Sequence, residues 1–195
     1  MINVLIGFFI ATLITSLFTN RLFRLYFWYG INSLILGLIG IVIGKIYSLN
    51  ELVIMGIITI IIKFIIIPTV LKKITLTFNI SRDITPIMKI QYLTILVPII
   101  LVFTYYLITP VLITFSTHPN FVAIAISSLF LSLLLIMEHK RMIAKIIGFL
   151  FMENALFLLG IVSTNGMPML IELGIFFDLM MFILIINLLF KYQGE

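Results

Sequence analysis

Residues 51–71 read ELVIMGIITIIIKFIIIPTVL, an almost unbroken apolar run that contains one lysine, Lys63. A helix needs about 20 mostly apolar residues, rising about 1.5 Å each, to cross the hydrocarbon core of a bilayer. Isoleucine-rich runs suit β-strands in water, but in lipid the backbone must satisfy its own hydrogen bonds, so a run of this length becomes a helix. The stretch therefore predicts a transmembrane helix with a charged residue inside it.

The rest of the chain has the same apolar character. Of its 195 residues, 63% are hydrophobic and only 10% are charged, whereas an ordinary soluble domain has about a quarter of its residues charged. This composition excludes a disordered chain, a disulfide-linked secreted domain and a typical soluble enzyme. The sequence has no Cys, which excludes thiolate-bound iron–sulfur clusters and cysteine zinc sites within this chain. It also has no Walker loop, GxSxG, HExxH or dinucleotide fingerprint.

Seven apolar segments predict an all-α, polytopic integral membrane protein with seven transmembrane helices, because none shows the alternation of barrel strands. No positive region precedes the first segment and no small-residue cleavage pattern follows it, so we interpret it as a retained span. Residues 1–110 are predicted to form an N-terminal four-helix segment and residues 111–195 a three-helix segment. The predicted spans are Asn3–Thr19, Tyr26–Tyr47, Glu51–Leu71, Ile90–Pro110, Phe121–Met137, Met142–Ser163 and Pro168–Phe190.

The cations predict the orientation in the membrane. With seven spans, ten Lys and Arg residues fall on one side and only Lys45 falls on the other, while Lys63 lies within a span. By the positive-inside rule, the N-terminus is outside and the C-terminus is in the cytoplasm of a multi-pass cell-membrane protein. The net charge of +5 is thus a signal of topology and not of nucleic-acid binding. The ten cytoplasmic cations are Arg21, Arg24, Lys72, Lys73, Arg82, Lys89, Lys140, Arg141, Lys145 and Lys191.

Four ionisable residues are predicted to lie well inside spans: Lys63, Glu153, Glu172 and Asp178. An ionisable group at a helix centre costs roughly 2.5–3.5 kcal/mol on insertion scales. Counted from the outer turns, Lys63, Glu153 and Asp178 all lie about 16–18 Å deep, and Glu172 lies about 9 Å shallower than Asp178. Such a set is typical of a proton path, although a buried ion pair that only joins helices is the alternative.

Other features are interpreted as structural. His118 and His139 lie at opposite ends of the fifth span, so they cannot share a metal ion, and His139 is predicted to lie on a solvated cytoplasmic rim. Pro68 and Pro98 lie inside spans, where each removes a backbone donor. A stripe of glycines in the second span (Gly30, Gly37, Gly40 and Gly44) predicts close helix approach. Residues 74–81 alternate apolar and polar side chains, which suits either an interfacial strand or, more commonly, a headgroup loop.

Residues 139–155, HKRMIAKIIGFLFMENA, resemble the basic loop and second helix of the NuoK-type subunit of respiratory complex I. Gly148, Met152, Asn154 and Ala155 match that pattern in register. The family's glutamate position falls on Leu150, and Glu153 follows nearly one turn later, on about the same helix face. For the second membrane glutamate of that family, the motif indicates Glu172 and the distance from the basic end indicates Asp178.

The whole chain resembles hydrogenase-4 component E (HyfE), a longer NuoK relative with extra N-terminal spans. The resemblance rests on residues 149–160 (FLFMENALFLLG), 168–179 (PMLIELGIFFDL) and 63–68 (KFIIIP). It implies a membrane-arm subunit of a group 4 [NiFe]-hydrogenase or formate-hydrogenlyase-like complex, packed between antiporter-like and hydrogenase-connecting subunits. The nickel–iron centre and the iron–sulfur clusters would belong to peripheral partner subunits, and this chain would contribute a proton relay of Glu153, Asp178, Glu172 and Lys63.

The sequence leaves two other functions open. One is a C-type subunit of a multisubunit cation/proton antiporter or a stand-alone ion transporter, although the internal repeat and broken helices of a self-contained transporter are not evident. The other is a scaffold subunit whose buried charges only fix assembly. Variants that neutralise these charges separate the alternatives, because a scaffold loses complex yield and a relay loses proton or sodium pumping.

Overall fold

Helices account for nearly all of the part of the chain that the computed structural model describes, which comprises residues 2–77, 81, 83–108, 110 and 119–164. No β-strand occurs in this part of the chain, which confirms the all-α prediction there. The elements are α1 (Ile2–Leu17), α2 (Leu22–Ile46), α3 (Asn50–Thr59), a π-helix π1 (Ile60–Ile66), α4 (Ile67–Thr77), α5 (Ile90–Phe103), a second π-helix π2 (Thr104–Ile108), α6 (Pro119–Glu138) and α7 (Met142–Thr164).

Four continuous helices in the described ranges are long and apolar enough to cross a membrane: Leu22–Ile46, Asn50–Thr77, Pro119–Glu138 and Met142–Ser163. They match the second, third, fifth and sixth predicted spans. Two shorter apolar helices, Ile2–Leu17 and Ile90–Tyr106, match the first and fourth. The seventh predicted span, Pro168–Phe190, lies outside the described residues. The chain is therefore a helical membrane protein, and both the count of seven spans and their orientation stay predictions.

The third span changes its helical period in the middle. Within π1 the hydrogen bonds reach one residue further than in an α-helix, and the N–H of Ile67 donates to the carbonyl of Ile62. Pro68 follows at the start of α4 and has no N–H to offer, yet the helix continues to Thr77. Each residue after π1 is therefore rotated about the helix axis, compared with its position in an unbroken α-helix.

The glycine stripe lets α2 and α3 come into backbone contact, as the sequence predicts. A Cβ atom built on Gly37 would lie 2.7 Å from the carbonyl oxygen of Gly56, and one built on Gly56 would lie 2.7 Å from the carbonyl oxygen of Gly37. No side chain fits at either position without moving a helix. The two glycines thus fix the distance between α2 and α3.

The alternating segment at residues 74–77 is helical, so the prediction of a strand or a loop is wrong there. Ile74 and Thr75 are buried, and the Thr75 hydroxyl donates to the carbonyl of Leu71 and contacts Tyr26 Oη at 2.7 Å. A short alternating stretch is also compatible with a helix that buries one face. Here packing against α2 favours the helix. Residues 78–80, which complete the segment before Ser81, lie outside the described residues.

Three loops that the sequence assigns to one side of the membrane meet at one end of the bundle, here called the basic end. The N–H of Ile84 donates to the carbonyl of Asn20 (2.9 Å), and the N–H of Ile87 donates to the carbonyl of Glu138 (2.7 Å). Arg21 and Asp83 form an exposed ion pair with atoms 4.0 Å apart. The segment at residues 83–89 therefore bridges the loop after α1 and the loop after α6.

Two apolar cores lie at different heights along the helices. The core nearer the basic end includes Leu17, Leu22 and Ile143, and the core at the opposite end includes Ile6, Ile43 and Ile161. Helices from the predicted N-terminal and C-terminal segments contribute to both cores. Buried polar side chains occupy the level between them.

Candidate functional site

Lys63 and Glu153 form an ion pair inside the helix bundle. Lys63 Nζ donates to Glu153 Oε1 at 2.8 Å, and each side chain is only 3% exposed. Lys63 lies in π1 and Glu153 in α7, near the middle of their helices. The two residues thus lie at the same height in the bundle, as the sequence predicts, and the structure places them in direct contact.

Asn154 extends the pair into a hydrogen-bonded network. Its Oδ1 accepts a hydrogen bond from Lys63 Nζ at 3.3 Å, and its Nδ2 donates to Asn32 Oδ1 at 3.0 Å and to Ser33 Oγ at 2.9 Å. One amide thus contacts both the charged pair and α2. Because Asn154 satisfies both its donor and its acceptor, burying it costs little.

The network continues from Asn32 to the first helix. Asn32 Nδ2 donates to Thr12 Oγ1 at 2.9 Å and to the carbonyl of Phe9 at 3.0 Å. The Thr12 hydroxyl itself donates to the same carbonyl at 2.7 Å. We call this set the polar layer; its members are Thr12, Asn32, Ser33, Lys63, Glu153 and Asn154, and they join α1, α2, π1 and α7.

Each helix of the polar layer carries its polar residues between residues of the two apolar cores. On α7, Phe151 belongs to the core nearer the basic end and Leu158 to the opposite core, with Glu153 and Asn154 between them. On α2, Tyr29 and Ile35 flank the polar residues in the same way. The polar layer therefore lies in apolar surroundings on both sides, where electrostatic interactions are stronger than in water.

The π-helix positions Lys63. It is the one residue of π1 that is buried, whereas its neighbours Phe64, Ile65 and Ile66 are exposed at the outer surface of the bundle. π-helical segments occur frequently at functional sites, since the wider turn reorients a side chain that a regular helix would place elsewhere. In this protein the reoriented side chain is the cation of the buried pair.

An acid and a base within hydrogen-bonding distance can exchange a proton without helix movement. Transfer of a proton from Lys63 Nζ to Glu153 Oε1 converts the ion pair into a neutral pair, and the reverse transfer restores both charges. The free-energy difference between these two states is small only in an apolar environment, because in water the charged pair is strongly favoured. The 2.8 Å contact therefore allows a proton to move between Lys63 and Glu153.

The residues that hold the pair were not predicted as site residues. Asn32, Ser33 and Thr12 lie in apolar runs and are nearly or fully buried. A buried amide in the middle of a predicted span is unusual enough to be a signal, and Asn32 carries that signal in the sequence. In the sequence, only its match to the NuoK-type pattern distinguishes Asn154.

A second buried ionisable pair lies at the basic end, where the sequence predicts a solvated rim. Glu138 and His139 are each 1% exposed, and Glu138 Oε2 lies 3.7 Å from His139 Nδ1. The prediction for His139 is wrong because the segment at residues 83–89 covers it, pairing Pro86 with His139 in an isolated β-bridge. Burial lowers the pKa of His139 to about 4, and the backbone of Thr19 nearby opposes this shift in part.

The other predicted site residues lie outside the described residues: Glu172 and Asp178 of the seventh predicted span, and His118. Their part in a relay stays a prediction. Within the described ranges no group of three or more His, Asp or Glu side chains is arranged to hold a metal ion. The polar layer holds one acid and one base, a composition that suits proton exchange rather than metal ligation.

No family model, no curated protein and no solved structure matches the chain. The resemblance to hydrogenase-4 component E rests on residues 63–68, 149–160 and 168–179 alone. The fold and the site together define the chain as a helical membrane protein with a Lys–Glu ion pair buried near the middle of its helices.

Proposed function

We propose that this chain is a membrane subunit that moves protons through the polar layer, with Glu153 as the proton-carrying group. The observation that carries the proposal is the Lys63–Glu153 contact of 2.8 Å between two side chains that are each 3% exposed. Intramembrane charges are costly and rare, and those that occur pair with one another and mark ion pathways and proton relays. The location of the pair between two apolar cores supports the same function.

The assembly that we propose is a group 4 [NiFe]-hydrogenase or formate-hydrogenlyase-like complex, related to respiratory complex I, in the cytoplasmic membrane. The HKRMIAKIIGFLFMENA and PMLIELGIFFDL motifs support this assignment. Partner subunits would hold the nickel–iron centre, the iron–sulfur clusters and the hydrogen chemistry. Antiporter-like membrane subunits and a connecting subunit would flank this chain in the membrane arm.

Each charged residue has a separate role in the proposal. Glu153 and Asp178 pass protons at the middle of the membrane, and Glu172 serves as a relay nearer the outer surface. Lys63 acts on Glu153 electrostatically, as the cation that contacts it at 2.8 Å. The coupled ion is a proton, or a sodium ion exchanged for protons by the neighbouring antiporter-like subunits.

The test begins with purification of the tagged chain from its native host in a mild detergent. Mass spectrometry is expected to find hydrogenase large and small subunits and antiporter-like proteins in the purified material. If the chain purifies alone, folded and stable, the subunit proposal fails. Proton flux in liposomes made with the purified chain then tests the stand-alone transporter.

Variant complexes test the relay itself. Glu153→Gln should lower proton or sodium pumping per complex while the complex still assembles. Glu51→Gln is the matched control, because Glu51 is exposed in the first turn of α3. Unchanged pumping in the Gln variants of Glu153, Asp178 and Glu172 would refute the relay, and a loss of yield with normal pumping per complex would indicate a scaffold.

A further inference from the structure

A groove of about 680 Å³ opens on the outer surface between α2 and the π1–α4 helix, in the half of the bundle nearer the basic end. Its walls are mainly aromatic and aliphatic, and the exposed side chains of Thr69 and Lys72 are its polar part. The volume is within the range of small-molecule binding sites, about 300–1,000 Å³. The side chains that define its two walls are Phe23, Phe27 and Gly30 on α2 and Phe64, Pro68 and Lys72 opposite.

The groove follows from a change in side-chain size along α2. Near the far end of the bundle, Gly37 and Gly56 bring the backbones of α2 and α3 into contact. Nearer the basic end, the helices are joined through the full length of the Tyr26 side chain, whose hydroxyl reaches Thr75 at 2.7 Å. Because α3, π1 and α4 form one continuous helix, this helix touches α2 at one end and is held away from it at the other. The wedge between the two helices is open at the outer surface of the bundle.

The charge at the groove indicates what it binds. Lys72 is exposed on the groove wall, two turns from Phe64 in the direction of the basic end. Long lysine side chains in this position extend their amines toward the headgroup region while their methylenes stay in the apolar zone. Basic pockets between transmembrane helices on the cytoplasmic side bind anionic lipid headgroups.

We propose that the groove binds an anionic phospholipid, with an acyl chain between Phe27 and Phe64 and the phosphate at Lys72. The apolar walls match an acyl chain, and the amine at one end matches a phosphate in position and charge. A zwitterionic lipid would place its own cation beside Lys72 and would be disfavoured. This site is separate from the polar layer, and the proposal does not depend on the function proposed above.

The protein contains its own reporter for this site. Trp28 is the single tryptophan of the chain, and its ring packs edge-on against the groove residue Phe27, with ring centroids 5.7 Å apart. The purified protein is reconstituted in phosphatidylcholine vesicles with increasing amounts of phosphatidylglycerol brominated on its acyl chains. A brominated chain in the groove quenches Trp28, so the concentration that gives half of the quenching measures binding.

We expect brominated phosphatidylglycerol to quench Trp28 at lower concentration than brominated phosphatidylcholine does. Lys72→Gln should raise the half-quenching concentration of phosphatidylglycerol about fivefold, the factor that one lysine near a headgroup supplies. Lys73→Gln is the matched control, because Lys73 is the adjacent exposed lysine and does not line the groove. Lys72→Arg should retain binding, since it keeps the charge.

A second variant tests the groove rather than the charge. Thr69→Phe places a ring in the groove at an exposed position of α4, and we expect it to weaken quenching by both lipids. The proposal is overturned if the two lipids quench equally in the unmodified protein. It is also overturned if Lys72→Gln behaves like Lys73→Gln, or if Thr69→Phe leaves phosphatidylglycerol quenching unchanged.

Discussion

Lys63 Nζ donates a hydrogen bond of 2.8 Å to Glu153 Oε1, although the two residues are 90 positions apart in the chain. Each side chain is only 3% exposed. The pair therefore links the third and sixth predicted spans, and the protonation of either residue depends on the other. Asn154 contacts Lys63 from the same helix as Glu153 and fixes the direction of the amine.

Removal of one partner should destabilise the protein more than removal of both. Lys63→Leu removes the cation that contacts Glu153 inside the bundle, and we expect a loss of about 3–5 kcal/mol in the free energy of unfolding. The double variant Lys63→Leu/Glu153→Leu should recover part of that loss, because both charges of this contact are then replaced by apolar side chains. Thermal unfolding in detergent measures all three proteins, and Lys45→Leu, at an exposed position, serves as the control. A Lys63→Leu protein as stable as the unmodified one would contradict the buried contact.

The contact between α2 and α3 should not tolerate a methyl group at Gly37. A Cβ there would lie 2.5 Å from Ile60 Cγ1 and 2.7 Å from the Gly56 carbonyl oxygen, so Gly37→Ala must push the helices apart. Overpacking of this kind costs about 1–3 kcal/mol. Gly7→Ala is the matched control, since a Cβ on Gly7 meets nothing within 4 Å. Equal thermal midpoints for the two variants would show that the helices do not meet at these glycines.

His139 should make the protein less stable in mild acid. Burial lowers the pKa of His139 to about 4 from an ordinary value of 6.5, so between these values the unfolded chain binds a proton that the folded protein does not. His139 by itself therefore contributes a loss of about 2 kcal/mol near pH 5, whereas Glu138, whose pKa burial raises to about 8, contributes a gain as the pH falls, so the comparison with a His139 variant isolates the imidazole. Unfolding of the unmodified protein and of His139→Gln, measured at about pH 7 and about pH 5, checks this. The variant should lose less stability between the two conditions; equal losses would place the imidazole in contact with solvent.

The predicted orientation can be tested with single cysteines, because the chain has none of its own. Tyr47 is 44% exposed in the turn between α2 and α3, and the Asp83 side chain is 82% exposed at the basic end. We expect a membrane-impermeant maleimide to label Tyr47→Cys in intact cells. Asp83→Cys and Lys140→Cys should be labelled only after the cells are opened. Labelling of all three from outside would refute the arrangement of the loops about the membrane.

The sequence predicted the common height of Lys63 and Glu153 but not how their helices are rotated about their axes. The ends of an apolar run are marked by charged residues and turns, so the constant rise per residue of a helix gives the height of Lys63 and Glu153. Rotation about the helix axis depends on a polarity pattern around the helix, and residues 57–67 are almost all isoleucine apart from Lys63. Such a run contains no signal for π1, which sets the direction of the lysine.

The sequence also failed to predict which loop residues are buried, as the basic end shows. The residues EHKR at 138–141 have the composition of a solvated rim, yet Glu138 and His139 are each 1% exposed. They are covered by residues 83–89, a segment distant in the chain whose N–H groups reach Asn20 and Glu138. Contacts between distant loops have no local sequence signal, so this burial could not be predicted.

By itself the sequence determined the all-helical class, the apolar spans and the shared height of Lys63 and Glu153, because hydrophobic length and helical rise are properties of local sequence. The tertiary structure alone decided that these two charges touch, that Asn154, Asn32 and Thr12 connect them to two more helices, and that His139 is buried. These features depend on how each helix is rotated and on which distant segments pack against it. Rotation and packing are set by all the contacts of the fold together, and no single stretch of sequence contains them.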